Sequence, residues 1–414
     1  MRLRNAEMTR NRHQNAIAVF LTICILGLSP QALLSTQAAD WQIEPNLGLA
    51  AEYNDNIFFS SEREENDWIT TLSPGLDLSR NSERFEGALT GRLGIFHYLE
   101  NEDLDDVDQE YAGSMSYRFS VRAQASLLAG FIRDNRPDRD LEDTGLVQGS
   151  EQRDRSYLEG SGLYQTSETG YADLSYRYEN TEYEGPEFAD SIIHTFNWQQ
   201  YWIGIAGNRR FQPRLGLSYA YGDYQTSTVD TVSGTVGGRW ELSERIWTQA
   251  DIGARYSRTD FDSVVLDPQG FIVIEEETSR DWSSVVDLSA GYIAERSDLR
   301  FGFAHDLRNA PGRGGTVQRT ELQCRLAHRF TEMLRTDVEL RYIINSGEQG
   351  TVTVIETDNR TLRVQPSMFF DINRNWALEA LYRFVVIDDQ VADSRADQNV
   401  IFVRVFWRWP IMDQ

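Results

Sequence analysis

Most of this chain alternates, residue by residue, between apolar and polar side chains in short runs separated by turns or acidic loops. In the last long run, Ile401, Val403 and Val405 fall on one face, and Arg404 and Arg408 fall on the other. Successive side chains of a β-strand point to opposite faces, so each run predicts a strand with an apolar and a polar face. Repeated along a whole chain, this pattern is typical of a transmembrane β-barrel, which separates lipid from water.

The N-terminal segment predicts export. Several arginines precede an apolar stretch at about residues 16–28, and Ala38 and Ala39 offer small side chains for cleavage. This arrangement is typical of a Sec-type signal peptide. We therefore expect residues 1–39 to be a signal peptide that is cleaved near Ala38/Ala39, and residues 40–414 to form one barrel in the bacterial outer membrane. No later apolar stretch is long enough for a transmembrane helix.

All basic residues of this chain are arginines. The sequence contains no lysine, and its 40 basic residues are outnumbered by 64 acidic ones, which gives a formal net charge of −24. Nucleic acids bind proteins through dense positive charge, so this balance argues against a nucleic-acid partner. The absence of lysine has two explanations. One is a need for the planar guanidinium in ion pairs or anion recognition, and the other is a bias of genome or habitat.

The runs predict an all-β fold, a single transmembrane antiparallel up-and-down barrel of about 18 strands, with 16 as the alternative if two hairpins stay outside the membrane. An even number places both termini on one side, and short turns alternate strictly with longer loops, as in bacterial barrels. The register is least clear over residues 190–207. The longest loop, residues 257–280, contains the apolar run Phe271–Ile274. The sequence leaves open whether this loop extends as a hairpin or folds into the lumen.

Aromatic residues at strand ends fit the girdles that barrels place at the two membrane interfaces. They include Tyr53, Trp68, Trp240, Trp282, Tyr342 and Trp376. The first strand begins close to Asp40, which leaves no room for an N-terminal plug or a periplasmic domain. A soluble β-sandwich is the structural competitor. Its strands would bury one face against a second sheet, and its loops would not alternate so regularly in length.

If the apolar faces meet lipid, the opposite faces line the lumen and carry charges of both signs. The residues that we expect to line the pore are Arg92, Arg239, Arg255, Arg325, Arg341, Arg363, Arg383, Arg404, Glu339, Glu379 and Asp251. An arginine ladder facing acids sets up a transverse field that can select anionic or polyhydroxylated solutes. The same residues can also form cross-strand ion pairs that hold the wall together. Because about 18 strands enclose a lumen too wide for side chains to fill, some of these charges should meet water.

The sequence does not predict an enzyme. Beyond the signal segment its only histidines are His97, His194, His305 and His328, and no serine lies in an identifiable nucleophile motif. The acidic loop at residues 102–108 offers carboxylates to a divalent cation, but its spacing matches no dedicated calcium loop. We predict no catalytic residue, no metal site and no cofactor, and interpret this loop as a solvated surface that faces lipopolysaccharide.

One segment resembles a known family. Its residues are Tyr53, Asn54, Asp55, Asn56, Ile57 and Phe58, followed by Asp67-Trp68-Ile69 and Ser73-Pro74-Gly75-Leu76. The series is similar to the opening of the outer-membrane β-barrel porin family (beta-barrel porin 2-like) that is often associated with exopolysaccharide systems. The resemblance covers a small part of the chain and implies an outer-membrane barrel that assists polysaccharide export. From residue type alone, the Asn and Asp residues are turn formers that cap the first strand.

The leading functional hypothesis is a porin-like outer-membrane channel. It would pass small solutes or, as the resemblance implies, assist the export of an anionic exopolysaccharide. The main alternative is a non-conducting structural or adhesion barrel whose acidic extracellular loops bind a partner, and a third is an outer-membrane hydrolase. The expected partners are outer-membrane lipid and lipopolysaccharide, and a polysaccharide or small polar solute. The sequence leaves the oligomeric state open.

Overall fold

A computed structural model gives the fold of this protein. The structure describes residues 40–141, 150–185, 188–203, 210–225, 227–266, 272–310, 315–347 and 357–409. The predicted signal peptide and its cleavage site lie outside these residues, and the division at residue 39 stays a prediction. Among the described residues, no helix has both the length and the apolar character needed to cross a membrane.

Eighteen strands account for nearly all of the described chain. In order they are β1 Asp40–Asn54, β2 Asp67–Asn81, β3 Phe85–Tyr98, β4 Asp106–Ser120, β5 Ala123–Asp134, β6 Arg153–Gln165, β7 Gly170–Tyr183, β8 Ser191–Trp202, β9 Phe211–Tyr224, β10 Ser227–Glu241, β11 Ile246–Leu266, β12 Ile272–Ile293, β13 Ser297–Ala310, β14 Gly315–Arg329, β15 Leu334–Gly347, β16 Thr357–Asp371, β17 Trp376–Asp389 and β18 Ser394–Arg408. A single 3₁₀ turn, Glu102–Leu104, precedes β4.

The strands form a closed antiparallel ring. Each strand pairs with its neighbours in the chain, and β1 pairs with β18 over Asn46–Asn54. The predicted count of 18 is confirmed, and the alternative of 16 is wrong because every hairpin belongs to the wall. The strict alternation of short turns and long loops is also wrong. Only two residues separate β9, which ends at Tyr224, from β10, which begins at Ser227, and only four separate β17 from β18, where long loops were expected.

The two faces of the wall differ as the alternation predicts. The outer face presents a belt of exposed apolar side chains, for example Leu49, Val236 and Ile401. Aromatic pairs border this belt at both ends. Near the long loops, the rings of Tyr53 and Trp68 lie 5.2 Å apart. Near the short turns, the rings of Phe211 and Trp240 lie 4.2 Å apart. Trp376 and Trp407 form another pair at this end. An apolar belt between two aromatic girdles is the outer surface that a bilayer requires.

The hairpin of β11 and β12 is longer than the others. These strands have 21 and 22 residues, whereas β10 has 15. Their pairing continues without a break from Ile246↔Tyr292 to Leu266↔Ile272. Six extra residues add about 20 Å of strand, so the hairpin rises beyond the membrane. Most of the segment predicted as the longest loop is therefore strand. The sequence left open whether this segment extends as a hairpin or folds into the lumen, and in the structure it extends as a hairpin.

Candidate functional site

All residues predicted to line the pore lie on the inward register, and most of them form ion pairs. The pairs are Arg239–Glu241, Arg214–Asp251, Arg255–Asp306, Arg325–Asp337, Arg341–Glu339, Arg363–Glu339, Arg383–Asp138 and Arg404–Glu379. Arg92 is exposed and lies opposite Glu110. The inner wall is thus cross-linked by charge, and the role of these residues in conduction stays a prediction.

Arginines form one continuous wall of the lumen on β13–β17. Arg341 and Arg363 lie directly opposite each other on β15 and β16. Glu339 forms ion pairs with both guanidinium groups, at 2.9 Å from Arg341 and 3.1 Å from Arg363. Arg308 on β13 is exposed and has no ion pair within the described residues. Arg341 also pairs with Glu321, at 3.4 Å, so two acids balance the two facing arginines. The exposed Arg308 is the position on this wall that attracts an anion.

Acids line the facing side of the ring. On β4, Asp106, Asp108 and Glu110 alternate on the inward register, and β4 stands half a turn from β13 in the ring order. Glu110 is exposed and forms no ion pair within the part of the chain that the structure describes. Opposite walls of opposite charge create a transverse electric field across the lumen. A field of this kind orients a solute that carries separated positive and negative groups.

Residues 135–141, which follow β5, fold into the lumen instead of away from the barrel. Arg136 donates to Glu52 of β1 at 2.9 Å, and Asp138 accepts a hydrogen bond from Arg383 of β17 at 2.5 Å. Five strands separate β5 from β17 along the wall, and the Arg383 side chain faces inward, so this contact is made across the interior. The segment 135–141, which we call the lumen loop, therefore narrows the passage.

Asp138 is the charged centre of the lumen loop. Its side chain is buried and also accepts from Arg136 at 3.0 Å. Burial alone would raise the pKa of this carboxyl, but the guanidinium groups of Arg136 and Arg383 outweigh burial and hold the pKa well below its usual range. Asp138 therefore stays ionised at every physiological pH. The attachment is a permanent charge contact and does not titrate near neutrality.

Apolar contacts and a second set of ion pairs fix the ends of the lumen loop. Leu141 packs with Phe59 and Val385, and all three side chains are buried. At the base of the loop, Arg153 of β6 donates to Asp134 at 2.7 Å and to Asp140 at 2.5 Å. Contacts at its base and across the lumen therefore fix the position of the lumen loop. If the loop moved away from the wall, its polar groups would lose their buried partners.

The segment with the family-like motif closes the seam between the first and last strands. Asn56 is fully buried, and its side-chain amide donates to the backbone oxygens of Ser60 and Asp397, each at 2.9 Å. Asp55 accepts from the backbone and side-chain nitrogens of Asn399 at 2.6 and 2.8 Å. Phe59 follows in the left-handed region, with φ of 51°. The turn thus ties β1 to β18 and directs the Phe59 ring into the lumen.

A recess with both polar and apolar lining opens on the inner wall of β2–β6. Its volume is about 370 Å³, within the size range of small-molecule sites. Its polar lining consists of hydroxyls and carboxylates, among them Ser114, Ser116, Ser126, Glu86 and Glu159, and Ala88 and Leu128 contribute apolar surface. Small side chains on the inward register leave this space open, whereas long arginines fill the corresponding space on β13–β17. The recess can hydrogen-bond a polar solute.

The histidines lie on the outer face. His305 contacts the hydroxyl of Thr320 at 2.8 Å, and His328 contacts that of Ser297 at 2.8 Å. His194 lies among tyrosines, 2.8 Å from the hydroxyl of Tyr176, and His97 contacts Asp105 at the loop end of β3. Within the described residues, no cluster of His, Cys, Asp and Glu side chains could hold a metal ion.

Sequence reasoning missed the lumen loop. Arg136, Asp138 and Leu141 lie in a polar stretch that reads as one more acidic loop. A weak signal was available, because two arginines and two aspartates fall within residues 136–140 and the apolar Leu141 follows. Such a stretch carries its own ion pairs and an anchor for an apolar pocket. Its distant partners, Glu52 and Arg383, cannot be read from local sequence.

No protein-family model matches this chain, and no curated protein sequence matches it. The resemblance of residues 53–76 to the beta-barrel porin 2-like family therefore stays a prediction.

Several solved structures are similar in fold. OccAB4 of Acinetobacter baumannii is 10% identical, with 90% of this chain and 99% of that chain covered and a TM-score of 0.47. OpdK of Pseudomonas aeruginosa, solved with vanillate, is 11% identical, with 89% and 99% covered and a TM-score of 0.46. The ferric-catecholate import receptor Fiu of E. coli K12 is 8% identical, with 89% and 82% covered and a TM-score of 0.48. At these values the similarities assign no substrate. The closed ring, its apolar outer belt and its polar interior themselves make this chain an outer-membrane β-barrel.

Proposed function

We propose that this barrel is an outer-membrane channel for small polar solutes that carry an anionic group such as a carboxylate. The observation that carries the proposal is the lumen loop, which ion pairs hold inside a ring too wide for side chains to fill. A barrel that served only as a scaffold would need no loop attached to its inner wall. A loop that narrows a water-filled lumen sets a size limit for solutes.

The charge of the walls supports the choice of solute. An anionic group would approach Arg308, while hydroxyl or amino groups of the same solute would face the acids of β4. Arg308 and Glu110 are both exposed and lie outside the ion-pair network of the described residues. They are therefore available to a solute without the loss of an existing contact. Assistance of exopolysaccharide export rests on the resemblance of residues 53–76 alone.

Charge-removing variants of the two walls should change ion selectivity in opposite directions. In planar bilayers under a salt gradient, Arg308→Gln should lower the permeability of anions relative to cations by about a factor of two. Glu110→Gln should raise the same ratio. The reversal potential measures both effects. Arg360→Gln is the matched control, because this exposed arginine lies on the outer face, opposite Asp388. Equal reversal potentials in all four proteins would contradict the proposed selectivity.

A further inference from the structure

Seven polar side chains form a continuous row along the inner wall of β4–β10. Each one lies directly opposite the next in the register of neighbouring strands, for example Ser126↔Ser161 and Ser161↔Ser175. The members, which we call the polar row, are Ser116, Ser126, Ser161, Ser175, Asn197, Ser218 and Ser233, one from each strand. They alternate along their strands with outward residues such as Tyr176 and Leu217, so all seven face the lumen.

The polar row rises along the wall instead of staying at one height. Ser126 lies three residues from the short-turn end of β5, which begins at Ala123, whereas Ser233 lies eight residues from the short-turn end of β10, which ends at Glu241. The difference corresponds to about 16 Å of strand. Barrel strands are tilted, so side chains that are opposite in the register climb from one strand to the next. The row therefore connects the short-turn end of the lumen with its middle.

The two ends of the polar row lie beside the recess and the exposed arginine. At the lower end, Ser116, Ser126 and Ser161 line the recess of about 370 Å³. At the upper end, Ser233 lies opposite Arg255 of β11. Arg255 pairs with Asp306 of β13, and Arg308 follows two residues later on the same inward register. A solute that leaves Arg308 can therefore reach the recess along the polar row.

The hydroxyl groups of the polar row are available to a solute. All seven side chains are half-buried, so water in the lumen reaches them. Four of them make no side-chain hydrogen bond within the part of the chain that the structure describes: Ser126, Ser161, Ser218 and Ser233. Ser116 and Ser175 accept from neighbouring amides at 2.8 and 3.4 Å, which leaves their O–H groups to donate. Since neighbouring strands lie about 4.8 Å apart, the row offers one hydrogen-bonding group at each such step.

We propose that the polar row is a binding track for polyhydroxylated carboxylates, the class of the sugar acids. This inference rests on the proposed function and names the solute class of the same lumen. Serine hydroxyls both donate and accept hydrogen bonds, as the hydroxyls of a sugar acid do, so the wall replaces the water that the solute loses. Arg308 holds the carboxylate at the upper end. Glu86, opposite Ser116 at the lower end, repels the carboxylate there and favours its release.

Glucarate and adipate are matched probes for the polar row, because both are unbranched dicarboxylates of the same chain length and only glucarate carries hydroxyl groups. With glucarate on one side of a planar bilayer and adipate on the other, the reversal potential measures their permeability ratio. The wild-type channel should favour glucarate by about threefold or more. Ser126→Ala, Ser161→Ala and Ser175→Ala, combined in one protein, should remove most of this preference, since three hydroxyl partners are lost. These changes remove no charge, so conductance in potassium chloride should equal that of the wild-type protein.

Ser289→Ala is the matched control, because Ser289 of β12 also faces the lumen but lies outside the polar row, opposite Gln249. It should keep the wild-type permeability ratio, and heat-modified migration in gels verifies that each variant folds. Equal permeability of the two anions in the wild-type protein, or an unchanged ratio in the triple variant, would overturn the proposal and leave the anion channel in place. A loss of preference in Ser289→Ala as large as in the triple variant would also overturn it. If neither anion carries current in the wild-type protein, the proposed function itself is wrong, and this inference fails with it.

Discussion

Replacement of Asp138 by Asn is expected to release the lumen loop and to raise the single-channel conductance. The change keeps the size of the side chain but leaves Arg136 and Arg383 without their shared counter-charge. Removal of one partner from a buried ion pair costs roughly 3 kcal/mol or more. That cost is large relative to the contacts that remain across the lumen, the Arg136–Glu52 pair and the Leu141 cluster. Conductance steps in planar bilayers should become larger and noisier.

Asp103→Asn is the control for this experiment. Asp103 is an exposed acid in the loop before β4, so its loss removes the same charge without touching the lumen loop. Its conductance should equal that of the wild-type protein. If Asp138→Asn conducts with the same step size and noise as Asp103→Asn, the lumen loop does not narrow the passage.

Replacement of Asn56 by Ala is expected to lower the free energy of unfolding by roughly 3 kcal/mol, because buried partners lose their hydrogen bonds. The side chain is fully buried and bonds Ser60 twice and Asp397 once. These contacts lie where β18 meets β1, so the variant weakens closure of the ring. Urea titration of the barrel in phosphatidylcholine vesicles, followed by tryptophan fluorescence, measures the change.

Asn81→Ala, a substitution of an exposed asparagine, is the control for Asn56→Ala. Asn81 ends β2 on the opposite rim, and Asn81→Ala should shift the unfolding midpoint by little, as surface substitutions usually do. A midpoint for Asn56→Ala that coincides with that of Asn81→Ala would show that the seam contacts do not contribute to stability. The family-like motif would then have no structural role in closing the barrel.

The strands and their faces could be predicted because the signal is local. A strand such as β18 alternates Val and Trp with Arg, and the contrast between lipid and water fixes its register without knowledge of any other strand. The exception is β8, where Ile193 faces inward and His194 outward. Aromatic and polar residues lie on both faces of that strand, so its sequence pattern alone did not set the register.

The lumen loop could not be predicted because its partners are distant in sequence. Asp138 and Arg383 are 245 positions apart, and Asn56 and Asp397 are 341 apart. Each of these residues is typical of a solvated loop or an inner wall when considered alone. Only closure of the ring brings β17 and β18 beside β1 and lets the segment after β5 reach them. The turn-forming character of Asn54 and Asn56 was recognisable, but their partners on β18 were not.

Planar-bilayer recording on the purified protein tests the central claim most directly. We predict discrete conductance steps for the wild-type barrel and larger steps for Asp138→Asn, because a water-filled lumen crosses the membrane and the lumen loop restricts it. The absence of any conductance at all voltages, in the wild-type protein and in Asp138→Asn alike, would contradict the account and favour a scaffold barrel.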